Sequence, residues 1–411
     1  MIPSDSGLRV FETDLRTCAR LQTSLSLAYW DARWHQRVTS NCVLPSPPDS
    51  RSMNNQLLTQ HRRIALLTDG ASTPCLAKTA ISLLRYRTAD IAAVIDREHA
   101  GKTSAELFDA GNAPVVSSWS PELNCDAIYI GIAPPGGKLP EAWRPQLEAA
   151  IRAGVDVVSG LHDFLSEDSQ WRELAQQSGS KIIDVRKNHW KETATGKPFR
   201  ENCVRIHAVG HDCSIGKMVT TVEIDRGLQA AGKSSRFLAT GQTGIMISGR
   251  GVPADCVVSD FVNGAVEYLV RDNQDADFLL VEGQGSISHP AYSAVTLGLL
   301  HGCAPQGLVF CYEAGRSEVK GFDGCAIPQL EKQIQAIEQL ANLRGPSKFI
   351  GVSVNTRKLS PGEAKLEVER AEHRFGLPAC DVYRDGADKL VRASLELQAA
   401  CVPSVLQETG A

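Results

Sequence analysis

The 411-residue chain has no run of eighteen apolar residues; its most apolar stretch, from Ala294 to Tyr312, is interrupted by Gly298, His301, Gly302, Pro305 and Gln306. A membrane-spanning helix is excluded on that ground, and no membrane partner is expected. Basic excess is also missing: 43 Lys and Arg stand against 47 Asp and Glu, giving a net charge of -4 and a pI near 6.2. No global positive field draws nucleic acid or an anionic membrane surface, so nucleic acid is not an expected partner. There is no CxxC pair and no close Cys/His cluster; twelve cysteines are scattered from Cys18 to Cys401. That pattern excludes a disulfide-stapled secreted fold and a zinc site, expects no metal, and points to a reducing cytoplasm. The first thirty residues carry Asp5, Glu12 and Asp14 and lack the basic-then-apolar order of a signal peptide.

What is present is ordinary for a soluble globular protein of two or three domains, with 22% charged and 43% apolar residues. Residues 1–60 stand apart: six Arg, no Lys, and a breaker-rich tail, Pro45-Ser46-Pro47-Pro48-Asp49-Ser50. They read as an extension or linker, either disordered or an over-called gene start with Met53 as the alternative beginning.

From Arg63 onward, short β-branched runs alternate with helical patterns. Strands are expected at 64–68, 91–95, 114–118, 127–132, 155–158 and 181–185, with helices at 75–86, 141–153 and 163–178. A second alternation places strands at 204–209, 236–239, 278–281, 308–312 and 349–354, with helices near 217–231, 257–271, 327–342 and 362–375. Such alternation specifies α/β architecture, here two doubly wound parallel sheets. The expected domains are a Rossmann-like one over 61–200 and a P-loop NTPase-like one over 201–411, divided in the polar stretch between Asn188 and Asn202.

The strongest motif is the run Val204 to Val209 followed by Gly210-His211-Asp212-Cys213-Ser214-Ile215-Gly216-Lys217-Met218 and a helical pattern. A strand, a loop of small residues and a Gly-Lys at a helix start build an anion cradle of converging N–H groups, helix dipole and point charge. An ordinary strand-to-helix turn does not need that Gly-Lys. Gly210, Asp212, Ser214, Gly216, Lys217 and Met218 are therefore cofactor-binding candidates. Two features depart from the usual loop. Five residues separate Gly210 from Gly216 where four are usual, a gap that resembles that of dethiobiotin synthetase and its relatives, and His211 stands at the usual first-glycine place. Met218 occupies the place where Ser or Thr would hold Mg2+, and a thioether is a poor ligand for a hard cation. Thr220 or Thr221 is the substitute if metal is used; otherwise a metal-free pyrophosphate such as that of coenzyme A fits.

The segment Asp277 to Ser286 is an apolar strand ending in Glu282, Gly283, Gln284 and Gly285. A carboxylate at the carboxyl end of a parallel strand beside a phosphate loop lies where a general base or metal ligand must lie. His289, Tyr292 and His301 follow within twenty residues. Thr240 to Gly251 reads as a Gly-rich loop bringing Gln242 and Thr243 to a ligand. Asn355 closes a strand and is placed to read a nucleobase edge. In the first sheet, Ile130 to Pro140 ends a strand in a rigid turn bearing Lys138, and Gly160-Leu161-His162-Asp163 and Asp184-Val185-Arg186-Lys187 close the next two strands. With Lys78 and Arg85 these form a basic rim suited to a small anion. No GxGxxG occurs, so Asp96 after the second strand reads as a structural acid, not a ribose ligand.

Seven segments together resemble one family: AKTAISLLRYR (77–87), IGIAPPGGKLP (130–140), GLHDFL (160–165), GHDCSIGKM (210–218), ATGQTGIMISGRGV (239–252), VEGQGSISHPAY (281–292) and LGLLHGCAP (297–305). The family is the two-domain DUF1611 group, often labelled NAD-dependent epimerase/dehydratase. The resemblance spans about 61–395 and implies a Rossmann-like domain followed by a P-loop, dethiobiotin-synthetase-like domain. It further implies D-glutamate N-acetyltransferase activity with acetyl-CoA as donor, in D-amino-acid catabolism.

On that reading the catalytic candidates are Glu282 or His289 as base, with Cys213 as a covalent alternative, because a thiol near a helix N-terminus has a lowered pKa. Cofactor contacts come from the loop with Gln242, Thr243 and Asn355. Substrate contacts come from Lys138, His162, Arg186, Gln284, Ser286, Tyr292 and Arg316. The substrate is a small anionic amino acid, and a homo-oligomer is expected. An ATP- and Mg2+-dependent ligase or kinase is the alternative; NAD-dependent redox chemistry is third, and a non-catalytic nucleotide sensor fourth.

Overall fold

A computed structural model describes residues 56–401. Met53 and the segment before it, on which the over-called start was placed, lie outside the described residues. Two sheets carry the fold, each of six parallel strands. The first holds β1 (Ile64–Leu67), β2 (Ile91–Ile95), β3 (Val115–Val116), β4 (Ala127–Ile130), β5 (Asp156–Ser159) and β6 (Ile182–Asp184) in the order β3-β2-β1-β4-β5-β6. The second holds β7 (Val204–Gly210), β8 (Ser235–Leu238), β9 (Phe278–Val281), β10 (Gly307–Glu313), β11 (Lys348–Asn355) and β12 (Ala379–Cys380) in the order β12-β11-β10-β7-β9-β8.

The central strands β1, β4, β7, β9 and β10 are buried along their whole lengths. Helices cover both faces of each sheet, so these strands read as continuous apolar runs and not as alternating ones. Leu58, in the short helix Gln56–Gln60, is fully buried in the core that contains Ile64, Leu66 and Val94.

Local chemistry sets several helix ends. Ser360 and Glu363 form a capping box at the start of the helix Pro361–Phe375, with Pro361 in its first turn and Gly376 in the left-handed conformation at its end. Several helices were not expected, among them Asp388–Cys401, Ser104–Phe108 and two in glycine-containing segments. The helix Ser293–Cys303 occupies a segment whose glycines read as breakers. There, a Cβ at Gly298 would come within 2.5 Å of Val262 and one at Gly302 within 2.7 Å of Val266. The glycines allow close helix packing against Val262–Arg271. The expected Gly-rich loop at 240–251 contains the helix Gln242–Ser248, which ends at Gly249 in the left-handed conformation.

In both sheets the chain order reverses beside the first strand, β1 or β7, so the loop after each lies at a topological switch point, where open sheets bind ligands. Among the described residues no helix is long and apolar enough to cross a membrane.

Candidate functional site

The carboxyl edges of the two sheets face one crevice of about 500 Å3. From the second sheet it is lined by Cys213 to Val219 after β7, Gly241 to Thr243 after β8, Glu282 to Gly285 after β9, Lys320 after β10, Asn355 and Arg357 at the end of β11, and Asp381, Tyr383 and Arg384 after β12. From the first sheet come Cys75, Lys78, Ile81, Ser82 and Arg85, together with Arg186 after β6. Seven cations, Lys78, Arg85, Arg186, Lys217, Lys320, Arg357 and Arg384, face it against two carboxylates, Glu282 and Asp381. This lining favours a polyanion.

The loop after β7 forms the cradle at the middle of the crevice. Ser214 at φ 56° and Gly216 at φ 110° turn the chain into the helix Lys217–Ala230. Lys217 is buried, its Nζ donates to the carbonyl of Asp212 at 2.6 Å, and burial lowers its pKa. Asp212 supports the loop from behind: its carboxylate accepts from Cys213 N at 2.7 Å, Lys320 N at 2.9 Å and Arg316 Nη1 at 2.7 Å. Burial alone would raise the Asp212 pKa, but these donors outweigh it and hold it below the usual carboxylate value. His211 fills the first-glycine place as a buried ring whose Nε2 accepts the N–H of Glu313 at 3.0 Å, and burial pushes its pKa down to about 4. Gly210 closes β7 where a Cβ would stand 2.3 Å from the carbonyl oxygen of Cys311. It is held there by packing and does not line the crevice.

Met218 lines the crevice beside Lys217, and neither substitute hydroxyl is free. Thr220 Oγ1 pairs with Ser353 Oγ at 2.7 Å, and Thr221 Oγ1 donates back to the carbonyls of Lys217 and Met218. The expectation that one of them replaces the Mg2+-binding hydroxyl is corrected on this point.

Glu282 is buried at the β8 and β9 side of the cradle. Its Oε2 accepts the N–H groups of Thr240 at 2.8 Å and Gly241 at 3.1 Å, at the start of the helix Gln242–Ser248. Burial pushes its pKa up to about 7, against the opposing pull of those two amides. Gly244 makes room for it, since a Cβ there would come within 2.5 Å of Oε2. Gln242 bridges the two sheets: Arg186 Nη2 donates to its Oε1 at 2.9 Å while Arg186 Nε donates to Asp255 Oδ2 at 3.0 Å. Thr243 and Thr79 share a hydrogen bond of 2.8 Å across the same boundary, and Gln284 Nε2 donates to the Thr240 carbonyl.

Several candidates stand elsewhere. His289 is buried outside the lining; its Nδ1 accepts the N–H groups of Ala291 and Tyr292, which puts the ring proton on Nε2, 3.7 Å from Asp212. That nitrogen cannot accept a substrate proton, so His289 is corrected from base to loop support. Tyr292 is exposed and stacks on His289, and Ser286 is buried against Ser288. Neither lines the crevice. Arg316 is consumed by Asp212, the Cys213 carbonyl and Glu313, so it is not available as a substrate clamp. Lys138 is exposed in a turn that meets His162 and not the crevice. His162 itself lies against Cys256 at 3.5 Å and Asp255 at 3.9 Å. Cys213 does line the crevice, but burial raises its thiol pKa, opposed by Lys217, so the expected lowering is corrected. Asn355 faces the crevice with its Nδ2 donating to the Ile215 carbonyl at 3.1 Å. Asp96 is filled by Ser72, the amides of Glu98 and His99 and the His99 ring, as expected of a structural acid.

Lys320, Arg357, Arg384 and Tyr383 were not foreseen. Each follows a parallel strand at its carboxyl end, the one signal that marks them in the sequence.

A family model described as a DUF1611 Rossmann-like domain matches residues 97–188, and a second, described as the DUF1611 P-loop domain, matches residues 192–391. A protein of Tritonibacter scottomollicae named D-glutamate N-acetyltransferase is 42% identical over 268 residues, 65% of this chain and 80% of its own length. One of the same name from a Pseudoalteromonas species is 38% identical over 271 residues, 66% of this chain and 81% of its own length. The chain belongs to the DUF1611 family. The crystal structure of a DUF1611 protein from Anabaena variabilis, 37% identical, superposes with a TM-score of 0.76 over 82% of this chain and 99% of that one. This DUF1611 chain superposes over most of its length on a solved relative, and its crevice lies between its two sheets.

Proposed function

We propose that the protein transfers an acetyl group from acetyl-CoA to the amino group of D-glutamate or a closely similar anionic amino acid. The observation that carries this reading is the juxtaposition, in one cation-lined crevice, of a phosphate cradle flanked by Met218 and a buried carboxylate, Glu282, with a pKa of about 7. The names of the two curated relatives support the transferred group and the acceptor, an acetyl group and D-glutamate.

The order β12-β11-β10-β7-β9-β8 supports the following division of roles along the crevice. The cradle after β7 takes the pyrophosphate in the middle. Asn355 and Tyr383, after β11 and β12, take the nucleoside end, and Glu282, after β9, takes the reacting end. Lys78 pairs with an acceptor carboxylate, and Arg186, whose donors are engaged by Asp255, Gly160 and Gln242, adds positive charge beside it. Among the described residues the Lys78 ammonium makes no hydrogen bond, and crowding by protein, then Lys320 and Arg186, lowers its pKa. Glu282 accepts a proton from the acceptor's ammonium, and a base whose pKa sits near the working pH is suited to that task. Acetyl-CoA supplies the activated acyl group: the amine attacks the thioester carbon, the C–S bond breaks as the proton held by Glu282 passes to the departing thiolate, and the freed Glu282 carboxylate takes the second proton from nitrogen and releases it to solvent, leaving the neutral amide.

An ATP- and Mg2+-dependent reaction is disfavoured by Met218 and by the engagement of Thr220 and Thr221. The experiment that tests the proposal is release of free thiol from acetyl-CoA across D- and L-amino acids.

A further inference from the structure

The crevice holds more positive charge than a pyrophosphate and a dicarboxylate require, and part of it stands far from Glu282. The helix Lys78–Tyr86 presents Lys78, Ile81, Ser82 and Arg85 to the crevice, spacings of three, four and seven that place them on one face. Lys78 and Arg85 are thus separated by about 10 Å along the helix axis. Lys78 is grouped with Lys320, Arg186 and Cys213 near the cradle. Arg85 lies at the other end, with its guanidinium carbon 3.9 Å from the centre of the Tyr383 ring, on the β12 side of the second sheet.

Arg85 is unusual among the crevice cations. Its Nε is shielded from water and has no hydrogen-bond partner, and among the described residues its guanidinium has no carboxylate partner. Three other cations of the crevice are occupied: Arg357 pairs with Glu313 at 2.7 Å, Arg384 donates to the Leu359 carbonyl at 2.8 Å, and Lys320 donates to Cys75 at 3.0 Å. The nearby acid is also spent, since Asp381 accepts from Thr356 and from the Tyr383 N–H. A planar guanidinium fixed over an aromatic ring, with donors unfilled, is preorganised for a phosphate dianion.

We propose that Arg85, held by Tyr383, receives the 3′-phosphate of the coenzyme A donor and so distinguishes it from an adenine nucleotide lacking that group. The inference rests on the acetyl-CoA reading and adds a subsite to it. A strand order that puts the nucleoside at the β11 and β12 end puts a ribose phosphate beside Arg85, while the pyrophosphate occupies the cradle.

The test is calorimetric titration of the full-length protein with CoA and with 3′-dephospho-CoA, repeated on Arg85→Gln and Arg85→Lys. The wild type is expected to bind CoA at least ~10-fold more tightly than the dephospho form. Arg85→Gln is expected to bind the two equally, and Arg85→Lys to retain part of the preference. With the acetylated donors, the loss in Arg85→Gln falls on KM and not on kcat. Equal wild-type binding of the two ligands overturns the subsite and leaves the donor reading standing, and needs no variant. Loss of both ligands to the same extent in Arg85→Gln shows a purely structural stacking role and overturns the subsite too. Binding of neither ligand to the wild type overturns the donor reading and the subsite with it.

Discussion

Arg186 and Gln242 meet across the crevice, Nη2 to Oε1 at 2.9 Å, and tie the carboxyl edge of the first sheet to that of the second. The same guanidinium bonds Asp255 and the Gly160 carbonyl, so one buried side chain holds three segments in register beside Glu282. Replacing it by Met leaves the Gln242 amide oxygen without its donor and the Asp255 carboxylate with only His162, 3.9 Å away. Arg186→Met is expected to lower stability by ~1–3 kcal/mol in urea denaturation and to raise the KM for the anionic acceptor more than that for the donor. An unchanged acceptor KM would remove Arg186 from the substrate site.

Glu282 links pH to both turnover and stability. Its pKa rises from 4.5 to about 7 on folding, because burial disfavours the charged form. Its favourable contribution is therefore complete below pH 4.5, declines as pH rises, and is lost above about 7, a swing on the order of 3 kcal/mol. Glu282→Gln keeps an oxygen to accept the Thr240 and Gly241 amides but has no proton to lose. Denaturation at pH 5 and pH 8 is expected to show a decline in the wild type that the variant lacks. Turnover in the wild type is expected to rise through pH 7, and the variant to lose at least ~100-fold in kcat.

Cys213 lines the crevice, yet burial raises its thiol pKa and disfavours the thiolate that covalent catalysis needs. Cys213→Ala is expected to lose no more than ~threefold in turnover, and no acetylated Cys213 peptide is expected on incubation with acetyl-CoA alone. An acetyl group trapped on that residue would replace direct transfer with a two-step route.

The sheets were legible because parallel strands covered on both faces leave continuous apolar runs such as Phe278 to Val281 and Leu308 to Tyr312. Ala379–Cys380 was missed because two residues at a sheet edge carry no period. The helix Ser293–Cys303 was missed because Gly298 and Gly302 read as breakers, although they are the contact points of a close helix pair. At the site, the Gly216-Lys217 pair and Glu282 carry local signals, a loop at a helix start and an acid ending a strand. Lys320, Arg357 and Arg384 carry none beyond their place after strands, and only the strand order brings them to one crevice. Arg316 and His289 mislead for the opposite reason: a basic or titratable residue beside a phosphate loop can be spent on supporting it, and Asp212 engages both.

The most direct measurement is thiol release from acetyl-CoA by the full-length protein with each of a set of D- and L-amino acids, in the presence of a chelator. Thiol release that depends on D-glutamate, persists without divalent metal and is lost in Glu282→Gln is the predicted result. No thiol release with any amino acid, alongside phosphate release from ATP and Mg2+ in the same crevice, would contradict it.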